Sequence, residues 1–563
     1  MRIVTGLAAS GKTSMLLREI AEKAEANRGR QILLVPELNS HQMERRLAAA
    51  THNHGARTAE VLTFSRLADR VFAVVGGLAQ QMLTPAGQLL TLQEAARRVQ
   101  VGLTAWSGLA DKPELLSETL ALIDECKSCM IEPEMLFRAS EESALDEDAA
   151  LSAKLCDLAQ ILTQYDSLCE ETLPDPRDRL THLRDGLAES HVLDGAEVYL
   201  DGFLSYTPQE LAIIEVMLSS GVPLTAAVTC DVELPDVFVT GCRTLRTLTR
   251  MAERCSRRPE LVDLGAGKMP RPAGLAAVAN EALLPVRQAH EDASGVRLYE
   301  AASPFDECEH AAAYIRRKVR DEGAHYRDFV IAARDIGPYS ASLAMAMGRY
   351  DIPMFLADKP DLLSRPPMAL VIGALESVRS NFGCRELFGC LKTGLTGLAW
   401  DEIDRLENYA ITWKIHGAAW ERDWVEHPDG YGIPVDEAAQ AQLDELNELR
   451  ARAIAPFAAL RERLKGEQPS AECVRALYDF LLAVDAPRRM EERAAEHDAA
   501  GRLQLADEYR QLWEILVSAM EQFAWVRGDM PLTLDRFAQL FRLVLSGYSV
   551  GSIPVSLDRV SCG

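Results

Sequence analysis

The sequence predicts an α/β fold in which parallel sheets covered by helices are interrupted by two large all-helical insertions. Three observations predict it. Short apolar runs alternate with helical stretches over the first 75 residues. A glycine-rich loop joins the first of these runs to the first helix. Strand signals then vanish for about a hundred residues and return. A chain of 563 residues suggests three or four domains, or two with large insertions.

Taken in order, Arg2–Thr5 is a short β-type run and Lys12–Ala26 has helical composition. Gln31–Val35 reads as a second, buried strand ending at Pro36. Ser40–Ala50 is helical, Glu60–Thr63 strand-like and Ser65–Val75 helical again. From about 85 to 190 the chain reads as helix, including the acidic run Glu141–Asp148, which suits a solvated face. Strand signals return at Val198–Leu200 and Pro223–Thr229, then at Gly295–Tyr299 and Asp328–Ala332 around a helix from Phe305 to Arg320. Residues 370–545 are helical once more, and the closing segment looks like the start of a further strand.

The expected division is therefore a first α/β domain at 1–85 and 191–290, split by a helical insertion at 86–190. A second α/β domain would begin at 291–370, carry a helical insertion at 371–545 and resume at 546–563.

Hydrophobic residues at 48% and charged residues at 26% exclude wholesale disorder. Sixty basic against 84 acidic residues give −24, which excludes a general polyanion binder. Nucleic acid would have to meet a local basic surface, and one candidate stands out. Gly241–Pro259 holds six arginines and a single acid, Glu253. Arg243, Arg246, Arg250, Arg254 and Arg257 recur at spacings of three and four, so a helix aligns them opposite Leu245, Leu248, Met251 and Ala252. Phosphate contact is one use of such a stripe; pairing with the chain's many carboxylates is the other.

No run of about 18 uncharged apolar residues suggests a membrane span, and the opening MRIVTGLAASGKT does not read as a signal peptide. The expected location is the cytoplasm. Of twelve cysteines, only Cys126/Cys129 and Cys384/Cys390 are close pairs. Neither has a histidine pair at ligand spacing, and His52 and His54 read as a loop, so reduced, mostly buried thiols are expected rather than zinc ligands.

The chemistry sits in Gly6-Leu7-Ala8-Ala9-Ser10-Gly11-Lys12-Thr13, which fits G-x-x-x-x-G-K-[ST] without a mismatch and lies between strand and helix. The glycines let the backbone turn so that N–H groups, including those near Ala8, Ala9 and Ser10, face a phosphate at the helix's positive end. Lys12 would reach the β- and γ-phosphates of ATP, and Thr13 would place its hydroxyl on Mg²⁺. Lys12 is expected to be exposed to ligand rather than packed. The second Mg²⁺ element should be an apolar strand ending in an acid, and Val198-Tyr199-Leu200-Asp201 is the best candidate. Helicase-type motors follow that aspartate with a glutamate that activates water. Here Gly202 follows, and the nearest downstream acid, Glu210, lies beyond Pro208.

These segments resemble the AddB (RexB) family, the B subunit of the bacterial AddAB helicase–nuclease. Beyond GLAASGKT, the resemblance is carried by Leu34-Val35-Pro36-Glu37 with His41-Gln42 and Glu44, by Val61–Leu67, and by Tyr199–Phe203 with Thr207-Pro208-Gln209-Glu210. Leu391–Leu395, Leu406–Tyr409 and Ile553–Asp558 extend it along the chain. Leu38 stands where the family usually has glutamine.

The resemblance implies a P-loop NTPase fold of the superfamily-1 helicase kind that has lost motor activity. It implies a partner subunit of the AddA type, DNA as the other partner, and a role in repairing double-strand breaks by homologous recombination. This chain would bind ATP and guide or recognise single-stranded DNA. Nuclease carboxylates and iron–sulfur cysteines belong to a C-terminal part of the family that lies beyond Gly563, so neither nuclease activity nor a cluster is expected of this chain alone. Arg334 either reaches the γ-phosphate from the second domain or pairs, as a strand-end arginine, with a surface carboxylate. Trp400, Trp413 and Trp420 are expected to pack in a core rather than stack on bases. The alternative reading is a stand-alone P-loop ATPase or kinase with a helical lid; a scaffold with a relict loop is a third.

Overall fold

A computed structural model describes residues 1–52, 58–146, 148–265, 271–281, 289–356, 362–548 and 558–563. The chain opens with β1 (Arg2–Gly6), α1 (Lys12–Glu25), β2 (Arg30–Leu34), α2 (Ser40–Ala50), β3 (Ala59–Leu62) and α3 (Phe64–Val75). A helical block follows: α4 (Pro85–Val99), α5 (Pro113–Ser128), α6 (Pro133–Leu145), α7 (Ala149–Glu171) and α8 (Arg179–Leu187). The chain then returns through β4 (Ala196–Leu200), α9 (Pro208–Ser219), β5 (Leu224–Thr229), α10 (Val239–Arg254) and β6 (Glu260–Asp263).

These six strands form one all-parallel sheet in the order β3-β2-β4-β5-β1-β6. Strands covered on both faces must be apolar throughout, and Ile32–Leu34 and Val198–Leu200 are wholly or almost wholly buried. Successive residues point to opposite faces. Ile3, Ile32 and Val198 thus pack with α3, α8, α9 and α10 through Leu67, Leu183, Ile213 and Leu248. Val4, Leu33 and Tyr199 pack with α1 and α2 through Leu16, Ile20, Met43 and Leu47.

Two features depart from the sequence expectation. β6 is an added edge strand whose residues are mostly exposed, so it carries no buried pattern to read. Gly295–Tyr299 pairs with no described strand; Leu298 is 99% exposed, and Tyr299 stacks on His310 instead.

The second half runs through α11 (Ala273–Glu281), α12 (Pro304–Glu322), β7 (Val330–Ile331), α13 (Ser340–Arg349) and β8 (Met354–Leu356). Then come α14 (Pro366–Arg379), α15 (Cys384–Leu391), α16 (Trp400–Thr412), α17 (Glu437–Arg463), β9 (Gln468–Pro469) and α18 (Ser470–Ala483). The chain ends with α19 (Ala486–Ala499), α20 (Leu503–Arg527), β10 (Pro531–Leu532), α21 (Leu534–Ser546) and β11 (Val560–Cys562). β7, β11 and β8 form a small parallel sheet with β11 in the middle, packed on α12 and α13. Of the segment Ile553–Asp558, only Asp558 lies within the described residues.

The two helical stretches are not separate bodies. Ala86 and Leu90 of α4 belong to the core built by α14–α21, and Leu543 of α21 belongs to the core of α4–α7. Glu94 of α4 is buried and pairs with buried Arg527 of α20 at 2.9 Å. Trp420 is wholly buried in the shared core and Trp413 half-buried against it. Trp400 is exposed instead, on the first turn of α16.

Candidate nucleotide-binding site

Loop 6–13 leaves β1 at the carboxyl edge of the large sheet, where a parallel α/β fold opens a crevice for ligands. Gly6 (φ +149°) and Gly11 (φ +94°) adopt backbone conformations that side chains disfavour, and a Cβ on Gly6 would come 2.6 Å from Ser10 Oγ. Ala9 is also left-handed at φ +61°, a strain of the sort that gathers at ligand loops. The loop is anchored by Leu7 N–H on the Gly265 carbonyl (3.1 Å) and Ser10 N–H on the Leu7 carbonyl (3.2 Å).

Helix α1 begins without a side-chain cap or an acid in its first turn. Its first N–H to find a backbone partner is that of Met15, on Gly11. The free N–H groups of the first turn and the helix dipole leave a positive end facing the loop. By contrast, α9 starts with a complete capping box between Thr207 and Glu210. Glu210, the nearest acid after Asp201, is therefore committed to the backbone of Thr207 at 2.8 Å. Burial, ahead of those hydrogen bonds, raises its pKa.

Lys12 corrects the sequence expectation. It is buried, 9% exposed, with Nζ donating to the carbonyls of Gly6 and Leu7 at 2.8 Å each. Folding back satisfies two of its three donors and leaves one for a phosphate oxygen. Burial lowers its pKa, while the charge of Asp201 opposes the fall.

Asp201 is 4% exposed at the end of β4. It accepts from the Thr13 side chain and the Gly202 backbone, yet burial prevails and raises its pKa. Among the described residues its Oδ2 and the Ser10 Oγ are buried without a hydrogen-bond partner. Two orphaned oxygens beside an uncapped helix and a lysine are the donor set that a magnesium-bound polyphosphate would complete. The residues thus fit ATP·Mg²⁺: Gly6, Ala8, Ala9, Ser10, Gly11 and Lys12 for the phosphates, Thr13 and Asp201 for the metal. Among the described residues no cluster of three metal-ligating side chains occurs.

Gly202 is left-handed (φ +83°), and a Cβ there would stand 3.1 Å from Asn39 Nδ2 and 3.3 Å from Pro36 Cδ. The chain after β2 thus fills the space into which a side chain at 202 would project. Arg334 lies exposed beyond β7 and makes no hydrogen bond or ion pair with the loop among the described residues. The guanidinium that does approach is Arg271, which sequence reasoning missed, with Nη2 3.5 Å from the Ala8 carbonyl. No pattern in the sequence marks it, because contact depends on where β6 returns the chain.

On α10, Leu245, Leu248, Met251 and Ala252 are buried while Arg243, Arg246, Arg250 and Arg254 are exposed; Arg257 is exposed too but lies beyond the helix, which ends at Arg254 before the left-handed Ser256. Arg254 is paired with Glu215 at 3.2 Å, and Arg257 donates to the Leu218 carbonyl at 3.3 Å. Carboxylate pairing thus takes Arg254 out of the stripe read from the sequence, and a backbone carbonyl takes Arg257. No described residue pairs with Arg243, Arg246 or Arg250.

Fold and loop together define a parallel α/β protein with a phosphate-loop turn at the carboxyl edge of its first strand. The family model described as "ADDB, N-terminal" matches residues 3–268. The chain is 30% identical to the B subunit of the ATP-dependent helicase/deoxyribonuclease of Acetivibrio thermocellus and 29% identical to that of Clostridioides difficile. It is 31% identical to the protein of the same name from Desulforudis audaxviator. Each match covers 100% of this chain and 50% of the relative. The chain belongs to the AddB family and spans about half the length of the curated relatives it matches.

No described helix is long and apolar enough to cross a membrane. All twelve cysteines are free thiols.

Proposed function

We propose that this chain is the nucleotide-binding, strand-guiding half of the B subunit of a helicase–nuclease, acting in double-strand break repair with an AddA-type partner. In this reading its two α/β portions are helicase-like, divided as the sequence suggests, and it binds ATP and Mg²⁺ without driving unwinding. The observation that carries the reading is the pair of buried, unpartnered oxygens, Ser10 Oγ and Asp201 Oδ2, beside the uncapped start of α1.

Bound ATP·Mg²⁺ would supply a γ-phosphate as an electrophile. The chain's residues hold it: the loop N–H groups and Lys12 take phosphate charge, and Thr13 and Asp201 orient the metal. What they lack is a base for water. Asp201 would be committed to Thr13 and the metal, Glu210 is committed to its helix cap, and position 202 has no side chain and a left-handed backbone with Pro36 and Asn39 close by. Binding without motor-rate turnover follows. Arg334, exposed beyond β7 of the smaller sheet, would reach the nucleotide only if the two sheets close around it.

Calorimetry of MgATP binding to wild type and Lys12→Ala tests this. Loss of the phosphate-facing ammonium should weaken binding at least tenfold, since hydrogen bonds between charged groups contribute about 1.5–3 kcal/mol. Equal affinities in the two proteins, both folded by circular dichroism, would overturn it.

A further inference from the structure

We infer that Arg243, Arg246 and Arg250 of α10 form a sequence-independent track for the phosphate backbone of a nucleic-acid strand, separate from the nucleotide site. The inference rests on the reading of this chain as a strand-guiding subunit and assigns the surface that would do it.

Helix α10 runs from the carboxyl edge of the sheet to its opposite edge. Its start is fixed beside the Asp201 turn: Gly241 lies so close to the Thr229 backbone that it leaves no space for a Cβ, and Thr244 donates to the Leu204 carbonyl at 3.1 Å. Its apolar side, with Leu248 wholly buried, seals the helix to the sheet layer. Leu245, Leu248 and Met251 are all buried, and the loss that exposing them would bring sets the orientation of the outer face. That face divides in two. At the end of the helix Arg254 is tied to Glu215 of α9, and just beyond the helix Arg257 is tied to Leu218. Toward the start, Arg243, Arg246 and Arg250 are exposed and unpaired among the described residues.

In a chain of net charge −24, three adjacent unpaired guanidinium groups leave a local positive strip. At about 1.5 Å of rise per residue they are staggered by roughly 4.5 and 6 Å, so successive groups can engage successive points along an extended polyanion.

Two classes of polyanion suit such a strip, a nucleic-acid backbone or an acidic protein surface, and the rest of the face chooses between them. Between the arginines stand only the half-buried Thr247 and Thr249. The exposed large apolar residue of α10 is Val239, at its very start. A protein interface needs apolar or aromatic anchors at its centre. A phosphodiester needs only guanidinium and hydroxyl donors, and contacts of that kind position a strand without reading its sequence. All six cations of 241–259 are arginine, whose planar fork matches a phosphate bidentately.

The experiment is a salt titration of labelled single-stranded oligonucleotides of two unrelated sequences, read by fluorescence anisotropy on the full chain. The variants are Arg243→Gln/Arg246→Gln/Arg250→Gln and the control Arg254→Gln/Arg257→Gln. The triple variant should weaken both oligonucleotides alike and lower the slope of log K against log salt by about 2, at ~0.7 per lost contact on a single strand. The control should keep the wild-type slope, and MgATP binding should be unchanged in the triple variant. A wild-type slope in a triple variant that binds as well as wild type overturns the track alone. Failure of wild type to bind either oligonucleotide overturns both the track and the strand-guiding reading. Displacement by poly-L-glutamate as effective as that by unlabelled oligonucleotide at equal charge overturns the phosphate assignment in favour of an acidic protein.

Discussion

Two regions bury carboxylates, and they treat them in opposite ways. In the helical layer, Asp157 is 1% exposed and accepts from the Thr104 and Trp106 backbones. Glu94, 5% exposed, gathers Arg97, Arg98 and Arg527. At the sheet edge, Asp201 is as deeply buried, yet one of its oxygens has no partner among the described residues. A saturated carboxylate acts as a staple between elements. One left half-satisfied costs stability until something binds it, and in the reading proposed above that partner is magnesium-bound nucleotide.

The comparison breaks most visibly at Glu94. Burial would raise its pKa, but hydrogen bonds from Arg97 and Arg98 and the charge of Arg527 outweigh this and hold it below the usual range. Arg527 fares differently: burial lowers it to about 10, because Glu94 is shared and Arg536 and Arg97 repel it. Glu94→Gln should therefore cost about 3–5 kcal/mol, the penalty for stranding a buried charge, measured by urea unfolding at pH 7. A depressed carboxyl stabilises the fold above its unfolded pKa of about 4.3. That stability disappears as the pH falls through the folded value, so the difference between wild type and variant should shrink in acid.

Gly202→Glu tests whether the missing acid is merely a missing side chain. The left-handed backbone and the contacts with Pro36 and Asn39 should cost about 1–3 kcal/mol, and steady-state phosphate release should not rise. A gain in turnover to motor-like rates, about 1–100 s⁻¹, would show that the glycine alone silences the site.

Asp201→Asn should have the smallest effect on stability and the opposite sign. A carboxyl with a raised pKa stabilises the fold fully below its unfolded value, about 3.9, and less as pH rises through the folded one. The neutral variant should melt slightly higher than wild type at pH 7 in differential scanning fluorimetry, and should lose the Mg²⁺-dependent part of any upward shift with ATP.

Much of the site could be read in the chain because a phosphate loop ties residue type to backbone geometry: Gly6 and Gly11 need conformations that few other residues adopt. β4 was legible through the buried run Val198–Leu200, and α10 through arginines and leucines at helical spacing. What escaped depends on neighbours distant in sequence. Edge strand β6 has no apolar signature, because it pairs on one side only. The bend of Lys12 onto Gly6 and Leu7 and the approach of Arg271 to Ala8 follow from folded geometry that no spacing encodes. Gly295–Tyr299 has strand-like composition, but residues make a strand only where another strand accepts their hydrogen bonds.

The contact between Glu94 and Arg527 joins residues 433 positions apart. On a ribosome adding roughly 5–20 residues per second, helix α4 therefore waits roughly 20 to 90 s for the surface that covers Ala86 and Leu90. The large sheet needs no residue beyond Asp263 and can close in the meantime. Birth order thus sets a sequence of events: a sheet that matures early, and a helical layer that stays open until nearly the last of its helices has been made.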